Sequence, residues 1–197
     1  MPANDLIFQR LEAATDAELS LIGKAVKAPI IGQRSADIAA VSRELRADAT
    51  SVFKTPFQKD HELRYRKILE GVVGKAADAA GWKTPSIEPD AEETWLEDFI
   101  VHAFAFAANK KGATAAASRA AREAGERSVR GKPAAADHSN LAKDAALIVI
   151  AGFQAGLIAK AAIWLGGPAM RRVTPAVLGL IHIRARLEAE QNLGGTT

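Results

Sequence analysis

Apolar residues recur along this chain at the three- and four-residue spacing of a helix face, and no alternating apolar–polar run of useful length interrupts them. That periodicity limits the fold more than any single motif does, because a half-buried strand requires alternation. It predicts an all-α protein: a helical bundle of about seven or eight helices, with a very apolar helical hairpin near the C-terminus. Alanine fills 42 of the 197 positions and aromatic residues only 6%, so the helices must meet largely through small side chains. A 48% hydrophobic composition is too apolar for a disordered chain. The absence of cysteine excludes disulfides, cysteine-ligated zinc, iron–sulfur clusters and thiol chemistry.

Helix boundaries are legible at several points. Thr15 followed by Glu18 forms a capping-box pattern, opening a helix with Leu19, Ile22 and Val26 on one side and Pro29 and Gly32 closing it. Ser35 is placed to cap a helix carrying Ile38, Val41 and Leu45. A longer helix is expected from about His61 to Ala80, with Leu63, Ile68, Leu69, Val72 and Val73 inward and Gly81 at its C′ position. Two prolines, Pro85 and Pro89, mark the following loop. Asp90 with Glu93 then announces a helix whose buried face is Trp95, Leu96, Phe99, Ile100, Ala103 and Phe104. Its acids Glu92, Glu93, Glu97 and Asp98 suit a helix N-terminus. The chain divides into a short N-terminal module (1–32), an amphipathic region ending in a basic Ala/Arg helix (33–132) and an apolar hairpin with a charged tail (139–197). All three are expected in one compact unit.

Two segments stand apart from this amphipathic background. Between residues 110 and 132, Lys110, Lys111, Arg119, Arg122, Arg127, Arg130 and Lys132 face only Glu123 and Glu126. Such a segment can follow anionic lipid headgroups, or it can be a solvated helix or linker. Nucleic acid is disfavoured, because no aromatic residue interleaves the cations to stack on bases. Arg171 and Arg172 extend the cationic set beside the hairpin.

Residues 145–165 contain only Gln154 and Lys160 as strongly polar side chains. They number roughly 21, enough to cross a hydrocarbon layer of about 30 Å. Gly152 and Gly156 permit close helix approach, Lys160 can snorkel and Trp164 suits an interface. Phe153 and Ile158 complete the candidate contact face. A second stretch, Val173 to Ile183, is interrupted by Pro175 and is too short to span alone. The same pattern also describes the central helix of a bundle, apolar all round because neighbours enclose it.

Catalytic and metal-binding patterns are missing from the sequence. His61, His102, His138 and His182 share no ligand spacing, and His102 four residues after Asp98 reads as a structural contact. Gly71–Ala76 has a Gly-Lys pair without the Walker spacing, and no Gly-x-Ser-x-Gly elbow occurs. No Glu-x-x-His pair supports a bundle di-iron site. No catalytic residue, cofactor or metal is expected. Residues 1–20 lack the basic start and apolar run of a secretory signal, so the expected location is cytoplasmic, peripheral to the inner membrane or conditionally inserted in it.

Asp5-Leu6-Ile7-Phe8 with Asp16–Leu19, His61–Leu69, and Arg172–Leu178 after a Gly/Ala-rich apolar segment together resemble the YaaW-like family of uncharacterised bacterial proteins. The later part of that family is similar to assembly chaperones of the ubiquinol–cytochrome c reductase complex. The resemblance implies an all-helical, non-catalytic protein working near membrane proteins. Two expectations follow. One is a protein that meets an anionic membrane surface or a membrane-protein client, in its sharpest form a pore-forming effector. The other is a soluble assembly chaperone or interaction module with a structural hairpin. A homo-oligomer is compatible with both.

Overall fold

The computed structural model describes residues 5–53, 64–109 and 167–194, and these form six α-helices without a strand. They are α1 (Leu6–Ala13), α2 (Asp16–Val26), α3 (Arg34–Phe53), α4 (Tyr65–Ala80), α5 (Glu93–Asn109) and α6 (Met170–Gly194). The fold class is all-α as expected, with six helices among the described residues rather than seven or eight. One reason is that Val173–Ile183 and the charged tail are a single helix. Pro175 lies inside α6 and does not stop it. Its missing N–H forgoes one intrahelical bond, and the burial of Val173, Ala176 and Val177 around it offsets the loss. The first arm of the expected hairpin, 145–165, lies outside the described residues.

The chain divides into two compact units rather than the three stretches of the sequence. Unit 1 is Met1–Ile68 with Gly166–Thr197, and unit 2 is Leu69–Leu165, so the division falls within α4. In unit 1, α6 lies against α1, α2 and α3, and α3 also lies against α1 and α2. Ile7 and Leu11, Leu19, Ile22 and Val26, Val41 and Leu45, and Val173, Val177 and Leu180 supply the core side chains. Each large aliphatic buried this way contributes about 1.5–3 kcal/mol. The apolar part of α6 is thus a core helix of unit 1.

Local chemistry fixes where these helices begin and end. Asp5 caps α1 by accepting the Ile7 N–H at 3.2 Å. The capping box of α2 is complete: the Thr15 hydroxyl accepts from the Glu18 N–H, and the Glu18 carboxylate accepts from the Thr15 N–H at 2.7 Å. Lys27 closes α2 in the left-handed conformation (φ 58°), and the Ala28 N–H reaches back to the Gly23 carbonyl at 2.9 Å. Closure therefore precedes Pro29 and Gly32. Helix α3 starts at Arg34, which places Ser35 within its first turn rather than at its cap.

In unit 2, α4 ends in a Schellman turn with Gly81 at φ 72°, the Trp82 N–H bonding the Ala77 carbonyl at 2.9 Å. Its described start is Tyr65, later than His61, and residues 61–63 lie outside the described set. The α5 start uses the Glu92 carbonyl, which accepts from Trp95 and Leu96, rather than Asp90. Trp82 meets Phe99 edge-on at 5.8 Å and Phe106 at 5.1 Å, and Trp95 packs 6.0 Å from Phe99. Glu97 is fully buried, a placement that a helix-dipole reading of the acidic cluster does not foresee. His102 Nδ1 donates to the Asp98 carbonyl oxygen at 2.6 Å, a structural contact made with backbone rather than carboxylate.

Candidate functional site

Two arginines hold the corner between α1 and α2. From α3, Arg34 donates to the Glu12 carbonyl at 2.9 Å, to the Ala14 carbonyl, and to the Asp16 carboxylate at 2.7 Å. From α6, Arg186 donates to the Ala13 carbonyl at 2.7 Å and forks onto both oxygens of Glu18 at 3.0 and 3.2 Å. Cations thus satisfy the carbonyls that the end of α1 leaves without intrahelical donors. Arg46 of α3 secures the other end of α1 by donating to the capping Asp5. These bonds fix the position and direction of α2.

His182 lies one turn before Arg186, with Nε2 3.3 Å from Glu18 Oε1. Burial holds its imidazole below the usual 6.5, assisted by the Arg186 charge and opposed by Glu18. Burial alone would raise the Glu18 carboxyl, but the bonds from Thr15 and Arg186 outweigh it and the net shift is downward. The cluster is a carboxylate hydrogen-bonded on all sides. It joins α2 to α6.

The cleft lies along the first half of α2, where the turn into α3 folds back beside it. The turn after Lys27 runs Ala28-Pro29-Ile30-Ile31-Gly32-Gln33 and returns into α3. The buried Asp37, in the first turn of α3, accepts the Ile31 N–H at 2.8 Å on one oxygen and the Gly32 N–H at 3.0 Å on the other. Gly32 adopts φ 82°, a conformation that a β-carbon disfavours. Between this turn and α2 is an open cleft of about 340 Å³, lined by Asp16, Leu19, Ser20, Ile30, Gly32, Arg34 and Asp37. Gly23 allows the turn to close down, since a β-carbon there would come within 2.6 Å of Ile30 Cδ1. Ile30 remains 39% and Ile31 66% exposed; with Leu21 they are the exposed large hydrophobics of the described residues.

The charges lining the cleft are already engaged. Asp16 pairs with Arg34, and both Asp37 oxygens hold backbone amides. Such an arrangement suits recognition of an apolar surface better than proton transfer. Among the described residues no group of acids and histidines is arranged to hold a metal ion, and no helix is long and apolar enough to cross a membrane.

Most of the sequence-predicted contact residues fall elsewhere. Gly152, Phe153, Gly156, Ile158, Lys160 and Trp164, and the cations Lys110, Lys111, Arg119, Arg122, Arg127 and Arg130, lie outside the described residues. Arg171 is exposed. Arg172 is pulled inward, 3.1 Å from Asp48 of α3, and so serves first as an internal ion pair. The apolar turn at Ile30 and Ile31 was hidden in a segment that read only as a helix stop. Two consecutive isoleucines between Pro29 and Gly32, where polar turn residues are usual, were its signal.

No family model matches the chain, and the searches found no similar curated protein or solved structure. The segments that carry the sequence resemblance have structural work in unit 1: Asp5 caps α1, Glu18 closes the α2 box and Arg172 pairs with Asp48.

Proposed function

We propose that this chain is a non-enzymatic all-α protein that works by association, with unit 1 staying folded while 145–165 meets a membrane surface or a membrane-protein client. The cations between 110 and 132 would assist on an anionic surface. The cytoplasmic face of a membrane is the corresponding location. The observation supporting a folded unit 1 is the burial of Val173, Val177, Leu178, Leu180 and Ile181 on α6. Inserting both apolar stretches as a pore-forming hairpin would take those side chains out of the unit 1 core and break the Arg186–Glu18 fork, so that form requires unit 1 to come apart.

The test is flotation of the full chain with phosphatidylglycerol-containing vesicles that enclose a dye. Association without dye release is the expected result, and Gly156→Asp or Ile158→Asp should reduce it. Dye release would instead favour the pore-forming form. A chain that stays in solution with these vesicles would exclude direct contact with anionic lipid. That outcome would leave a chaperone or interaction module, a reading favoured by the cleft beside the exposed Ile30.

A further inference from the structure

We propose that the α2–α3 turn is a membrane-docking tip, with Ile31 and Ile30 entering the interface of an anionic lipid surface while Lys24 and Lys27 engage its headgroups. This inference rests on the association reading and places a lipid contact on unit 1 itself. Three observations carry it.

The first is exposure. Pro29, Ile30 and Ile31 form an exposed apolar point, and Ile31 is 66% exposed. A single exposed side chain would need no explanation, but three consecutive apolar residues at the tip of a turn do.

The second is the state of the backbone. An amide donor without a partner is costly in an apolar medium. Here the Ile31 and Gly32 N–H groups are held by Asp37, the Ala28 N–H by the Gly23 carbonyl, and Pro29 has none. These donors can leave water without giving up a hydrogen bond. The same bonds hold the turn in one conformation before contact, so little ordering remains to be done on binding.

The third is charge. Lys24 and Lys27 are exposed and make no ion pair among the described residues. Of the acids near these lysines, Asp16 is paired with Arg34 and Asp37 holds backbone amides, while Asp48, paired with Arg172, attracts Lys27 without an ion-pair contact. An apolar point flanked by available cations is complementary to anionic lipid.

The chain contains no cysteine, so Ile31→Cys supplies a unique site for an environment-sensitive fluorophore. Phosphatidylcholine vesicles containing phosphatidylglycerol should shift its emission to the blue, and pure phosphatidylcholine should not. Ile31→Ser should weaken vesicle flotation about tenfold with helicity unchanged, and Lys24→Glu with Lys27→Glu should do the same. If the protein floats while the label at position 31 stays in water, the tip is overturned and association through 145–165 stands. If the protein does not float at all, lipid docking is overturned, and of the association reading only the protein-client form stands. A blue shift that follows protein concentration without lipid would assign the turn to a second copy of the chain and overturn lipid docking.

Discussion

Arg186 on α6 grips Glu18 on α2 with two nitrogens, at 3.0 and 3.2 Å, while the same guanidinium reaches the Ala13 carbonyl and Glu190. One side chain thus completes a helix cap, satisfies the end of α1 and joins helices 168 positions apart. Arg186→Ala should destabilise unit 1 by about 2–3 kcal/mol, because it removes charge-assisted bonds and leaves the buried Glu18 carboxylate without its arginine. Arg186→Lys keeps the charge without the fork and should cost roughly half as much. Circular dichroism in urea is the suitable measurement, since Trp82, Trp95 and Trp164 all belong to unit 2 and tryptophan emission would miss the event.

The same cluster gives unit 1 an acid sensitivity of defined sign. His182 is held below 6.5 in the folded protein, chiefly by burial, so the unfolded chain takes up its proton first. Stability contributed by the neutral imidazole is complete above 6.5 and falls as pH drops below it. Glu18 adds a second loss below 4.5, because its carboxyl is held down in the folded state. His182→Gln should flatten the stability profile in the first window while leaving the second. An unchanged slope just below pH 6.5 in that variant would remove His182 as the cause.

Much of the described fold was readable locally, and the unreadable part is what closes unit 1. The Thr15–Glu18 box and the Gly81 turn depend on residues a few positions apart, and both were visible in the sequence. The Arg186–Glu18 fork depends on packing between distant segments, and no spacing announces it. Pro175 shows the opposite error. A proline is a local stop signal, yet the buried neighbours of Pro175 keep α6 continuous. The buried Glu97 was masked by a plausible surface role at a helix start.

Asp48 and Arg172 should respond asymmetrically to substitution. Burial raises the Asp48 carboxyl above 3.8 against the attraction of Arg172, and its Oδ2 has no hydrogen-bond partner among the described residues. Its charged form therefore costs stability at neutral pH, a cost relieved as pH falls through the raised value. Asp48→Asn should change stability by less than about 1 kcal/mol, since the lost ion pair is offset by not burying a charge. Arg172→Met strands the carboxylate and should cost about 2–3 kcal/mol. The two variants and their double, compared by urea unfolding, give the coupling directly. Equal single-variant costs would contradict the asymmetry.

Lys27 is a site where the chain can be improved. It is the non-glycine residue with positive φ among the described residues, and it holds the C′ position of α2 at φ 58°. A β-carbon in that conformation costs about 1 kcal/mol, which glycine avoids. Lys27→Gly should raise the urea midpoint of unit 1 by the equivalent of roughly 0.5–1 kcal/mol, less whatever attraction Lys27 supplies to Asp48. Lys27→Ala retains the β-carbon and removes the same charge, so it separates the two contributions. Stabilisation by glycine but not alanine assigns the effect to the backbone; equal behaviour of the two variants would assign it to charge.

Asp37 should matter more to the turn than to the helix that carries it. Its two oxygens are the described partners of the Ile31 and Gly32 amides, and its side chain is buried with them. Asp37→Ala removes both acceptors and should cost about 2 kcal/mol, with faster hydrogen exchange confined to the two amides and their neighbours. Asp37→Asn keeps one good acceptor oxygen and should protect one amide better than the other. If α3 loses protection throughout its length in Asp37→Ala, the carboxylate is holding the helix rather than the turn. A loss restricted to the turn would mean that Ile30 and Ile31 are presented by a clamp that can be released without dismantling unit 1.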